Sequence, residues 1–125
     1  MANETEAQDY SDKRIDYIDI DDALKRVRGQ KAIYVKLLKS FLATKDFAAL
    51  EAAIEEKDYK KASETAHSIK GITGNLSLTK LFEESAALML KLKDDVFDAE
   101  QLDRFRDTLV KTKNYCLDVI DELEK

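Results

Sequence analysis

The chain has 125 residues, no proline, three glycines, one cysteine, one histidine and a net charge of -5. That length suits a single domain with one hydrophobic core. So few turn-formers argue against a β-rich fold, and the acidic balance argues against a nucleic-acid or anionic-membrane binder. A lone cysteine excludes an intrachain disulfide, and Cys116 on an apolar helical stripe reads as a core residue.

In chain order, residues 1–13 are polar, acidic and without periodicity, and read as a mobile tail. The remainder, 14–125, is one helical domain. A first helix is expected over Asp16 to Arg28, with Ile20, Leu24 and Val27 inward, Ile15 and Ile18 packed at its start, and Gly29 as its stop. A second is expected over Lys31 to Ala43, burying Ile33, Leu37, Leu38, Phe41 and Leu42. The third, Phe47 to Glu56, buries Phe47, Leu50, Ala53 and Ile54, with Thr44 or Asp46 as cap.

Asp58 caps the fourth helix, which runs to about Leu76. Ser77 is the expected cap of the fifth, which buries Leu78, Leu81, Phe82, Ser85, Leu88, Met89 and Leu92. After a polar connection, Asp98-Ala-Glu-Gln101 resembles a capping box and opens the last helix. That helix carries Leu102, Phe105, Leu109, Thr112, Cys116, Val119 and Leu123 on one face. Short connections make sequential helices antiparallel. The expected fold is all-α: an up-down antiparallel four-helix bundle with one or two short accessory helices.

The fourth helix holds the only histidine. At about 100° per residue, Ala62, Thr65, Ile69, Ile72 and Leu76 lie opposite His67. Lys60, Ser63, Glu64, Lys70, Gly71 and Gly74 lie on or near its side. His67 should therefore face solvent, with a lysine beside it. Each helical glycine costs about 1 kcal/mol relative to alanine, so two on one exposed stripe need a reason. Clearing space for another protein's surface supplies one.

Ala66, His67, Ile69, Lys70, Gly71, Gly74, Asn75 and Leu76 together resemble the motif of histidine-containing phosphotransfer (HPt) domains. The sequence departs from that motif at Thr73, where alanine is commoner, and at Ser77, where glycine is usual. The resemblance implies a phosphorelay carrier. His67 would be the phosphorylated nucleophile, Lys70 the charge partner of the phosphate, and Ser63, Glu64, Gly71 and Gly74 contacts for the partner. The implied partners are response-regulator receiver domains, and a hybrid sensor histidine kinase. It also implies that the first helix lies across the bundle end near the phosphohistidine.

The chemistry fits these residues: a neutral imidazole is a good nucleophile near pH 7, and a cation offsets phosphate charge. No Gly-rich phosphate loop is present, so the chain reads as a carrier without ATP-dependent kinase activity. No cofactor is expected, Mg²⁺ belonging to the receiver. Glu64-Thr-Ala-His67 is a Glu-x-x-His pair, but one pair with an outward histidine does not make a metal site. The other reading is a non-catalytic helical adaptor using the same face. Without a signal peptide or an apolar run of about 18 residues, a cytoplasmic monomer is expected.

Overall fold

The computed structural model describes residues 13–125, and the expected tail falls outside them except for Lys13. Among the described residues seven helices follow one another: α1 (Arg14–Tyr17), α2 (Ile20–Arg26), α3 (Lys31–Ala43), α4 (Asp46–Glu55), α5 (Tyr59–Asn75), α6 (Thr79–Lys93) and α7 (Ala99–Glu124). No strand occurs among the described residues. Helices α4 to α7 each pack on the next, and α3 packs along α7. Aromatic contacts tie the first and last of these together. Phe47 on α4 meets Phe41 of α3 edge-on at 5.6 Å and Phe105 of α7 at 6.3 Å.

The expected first helix is two. Asp19 breaks it: its carboxylate accepts from the Asp22 amide at 3.0 Å and so starts α2. Its own amide donates to the Ser77 carbonyl at 3.0 Å, pinning the break to the end of α5. Ile15 is 63 % exposed and does not pack as expected, whereas Tyr17 and Ile18 are buried.

Helix α3 spans the predicted residues but is turned. Tyr34, Val35, Leu38 and Phe41 are buried, while Ile33 and Leu37 are exposed. The Tyr34 hydroxyl explains the turn, because it donates to the Leu76 carbonyl at 2.8 Å within the core. That bond satisfies an otherwise orphaned carbonyl at the C-terminus of α5. All four residues expected inside α4 are buried, and the Thr44 hydroxyl accepts from the Asp46 amide at its start.

Four helix ends share one device. Arg28, Lys57, Ser77 and Asp95 each adopt a left-handed φ between 56° and 63°. The following amide then reaches back five residues: Gly29 to Leu24, Asp58 to Ala53, Leu78 to Thr73 and Val96 to Lys91. This is the glycine-type helix stop made by residues other than glycine. Ser77 therefore ends α5 and does not cap α6, which has Leu78 before it and no side-chain cap. Asp98 accepts from the Gln101 amide as expected. The reciprocal half of a capping box is missing, since Oε1 of buried Gln101 has no partner among the described residues.

Candidate functional site

Helix α5 begins where Asp58 accepts from the Lys61 amide, and its small residues let α6 approach closely. Its buried residues are Ala62, Ser63, Ala66, Ile69 and Thr73. That face is rotated by roughly 70° from the one expected by hydrophobicity at 100° per residue, because alanine and serine, not only isoleucine, line the contact. Thr65 and Ile72 are only partly covered.

His67 stands on the exposed side, as does Glu64. No hydrogen bond among the described residues holds the imidazole. Lys70 is half-buried one turn on; neighbours three apart on a helix have Cβ atoms roughly 5–6 Å apart. Its ammonium makes no ion pair among the described residues.

Ser63 departs from expectation. It is 8 % exposed, and its hydroxyl donates to the Met89 carbonyl of α6 at 3.1 Å. It fastens α5 to α6 at the floor of the site, where it lines the groove beside Lys60 and Glu64. The two glycines also differ. A Cβ on Gly71 would meet nothing within 4 Å, as an open approach requires. A Cβ on Gly74 would lie 3.1 Å from Cδ1 and Cε1 of Phe82. Gly74 therefore makes room for a ring of this chain.

Phe82, expected in the core, is 36 % exposed and borders the site. Its position on the α6 stripe hid this, because one turn of offset between packed helices moves a residue from core to rim.

His67 and Lys70 form a ridge between two open grooves. One, of about 570 Å³, runs past Gly74, Phe82, Ser77, Asp22 and Arg26. The other, of about 590 Å³, runs past Lys60, Glu64, Met89, Leu92 and Lys93. The first groove explains what α2 does. The Ser77 hydroxyl donates to Asp22 at 2.6 Å, and Arg26 donates to the same carboxylate at 3.0 Å. Those two hydrogen bonds, Ser77's first, hold the Asp22 carboxyl below its ordinary value of 3.8. Helix α2 thus borders the histidine groove.

No group of three His, Cys, Asp or Glu among the described residues could hold a metal. Burial pushes the Cys116 thiol up to about 12, far from a reactive thiolate. No helix among the described residues is long and apolar enough to cross a membrane.

The family model described as Hpt domain matches residues 36–115, well over half of the chain. No curated protein and no solved structure gives a match.

Proposed function

The chain belongs to the Hpt domain family, and from that premise we propose that it relays a phosphoryl group between aspartates of receiver domains through phosphohistidine at His67. Members of the family serve phosphotransfer in two-component systems and meet receiver and kinase domains. The observation that carries the proposal is the placement of the only histidine. It lies exposed on a ridge between two grooves, beside an ammonium that has no ion-pair partner among the described residues.

The step follows from that placement. A neutral ring nitrogen of His67 attacks the phosphorus of a receiver's aspartyl phosphate. The P–N bond forms as the P–O bond to the carboxyl group breaks, and the electron pair leaves on the aspartate. The ring sheds its extra positive charge as a proton to water. Lys70 meets the phosphate oxygens with charge-assisted hydrogen bonds. The open Cβ position at Gly71 lets the receiver's surface come close. Mg²⁺, the acidic pocket and any ATP chemistry belong to the partners. The domain acts as a cytoplasmic monomer, one receiver at a time.

The test is transfer from a panel of phosphorylated receiver domains, with His67→Gln beside wild type. Wild type should take an acid-labile, base-stable label, and the variant none, with its unfolding midpoint unchanged. A folded wild type that no receiver labels would leave the adaptor reading in its place.

A further inference from the structure

Phe82 lines the histidine groove, and the relay reading does not use it. A phenylalanine left 36 % exposed adds less to the core than one fully covered. Two contacts account for its place. Its ring edge rests on the bare backbone at Gly74, where an added Cβ would come within 3.1 Å. The Lys70 ammonium stands 5.8 Å from its ring centroid, within the range of a cation–π contact. Lys70 and Gly74 are four residues apart on α5 and share one face, so both meet the same ring.

We infer that Phe82 is a positioning residue for Lys70, seated by the missing side chain at Gly74, and that it holds the ammonium where a phosphoryl group on His67 needs it. The second half of this inference rests on the relay reading; the first does not. A lysine without an ion pair spreads its ammonium over many rotamers and loses that freedom on meeting a phosphate. A ring face that has already narrowed the rotamers lowers this loss. The rest of the site contributes nothing comparable: no other aromatic ring contacts Lys70 among the described residues, and its one-turn neighbour Thr73 turns its hydroxyl inward to the Lys70 carbonyl. A Cβ at 74 would stand 3.1 Å from the ring, so the ring would have to give by a few tenths of an ångström over the lysine.

The experiment has two arms. In the first, the Lys70 ε-methylene protons are followed by carbon–proton NMR. Ring current should shift them upfield in wild type and in Phe82→Tyr, but not in Phe82→Leu, and Gly74→Ala should diminish the shift. In the second, His67 is labelled with phosphoramidate, which needs no docking surface. Its own P–N bond breaks with ammonia as leaving group while the P–N bond to His67 forms. Phe82→Leu should slow labelling by about 2- to 5-fold, the size of an exposed cation–π contact, and Phe82→Tyr should restore it. In a Lys70→Ala background, Phe82→Leu should change nothing further. An unchanged Lys70 shift in Phe82→Leu overturns the inference. So does an equal slowing by Phe82→Leu with and without Lys70, because the ring would then act by another route. If neither phosphoramidate nor any receiver labels wild type, the relay reading fails together with the phosphate half, and the NMR arm alone decides whether Phe82 holds Lys70.

Discussion

Gly71→Ala should make this domain more stable and a poorer partner. Gly71 is helical and exposed, and a methyl group there meets nothing within 4 Å. The substitution thus gains helix propensity, about 0.8–1.0 kcal/mol, with no packing cost to set against it. For a domain of this size that is a rise in Tm of about 4 °C, or about 0.5 M in urea midpoint at an m value near 2 kcal/mol/M. Gly74→Ala is the internal control. It gains the same propensity, but the new Cβ sits 3.1 Å from two carbons of the Phe82 ring, which must move. Its net gain should be smaller, or its sign reversed. Thermal and urea unfolding of both variants measure this, and receiver-driven labelling of Gly71→Ala measures the docking cost. A methyl one turn from His67 should slow transfer from a receiver and leave labelling by phosphoramidate unaffected. An unchanged or lower Tm in Gly71→Ala would refute the open-space argument. Equal gains in the two variants would refute the account of Gly74 as the seat of Phe82.

Two further predictions concern the frame that holds the site. Tyr34→Phe removes the hydroxyl that donates to the Leu76 carbonyl and leaves that carbonyl buried without its partner. The loss should be about 1–2 kcal/mol, read from urea unfolding at constant m; a loss below a few tenths would mean that water replaces the bond. Asp98 accepts from Lys91 at 2.6 Å and from the Gln101 amide, and these bonds, Lys91's first, hold its carboxyl below 3.8. Its pKa is lower folded than unfolded, so its contribution is complete above about that value and is lost as pH falls through the folded pKa. Asp98→Asn should lower stability at neutral pH and flatten part of the decline below pH 4. A parallel acid decline in both proteins would count against it.

The sequence made the helices legible, and with them His67, because long apolar periods and good caps at Asp58 and Asp98 mark α5 and α7 strongly. It concealed what depends on how one helix turns against another. Ser63 was placed with His67 by angle, yet it is buried because a serine is small enough for α6 to close over it. Phe82 and Leu37 both lie on apolar stripes and are both exposed, since hydrophobicity alone does not say where a stripe ends. The helix stops were hidden for another reason. Arg28, Lys57, Ser77 and Asp95 perform a glycine's task in a chain with three glycines, and no local composition marks them.

Ser77 shows how such a hidden stop bears on the site. The HPt motif usually has glycine there, and the φ of 59° supplies the reason, since an L residue is strained in that conformation. Serine offsets the strain with its hydroxyl, which donates to Asp22, while its carbonyl accepts from the Asp19 amide. Both bonds run to the N-terminal helices. The departure from the motif therefore fastens α2, with Arg26, onto the rim of the groove in which His67 stands. A glycine would end α5 equally well but would leave Asp22 without its hydroxyl partner. The same position that stops the histidine helix thus also sets where one wall of its groove lies.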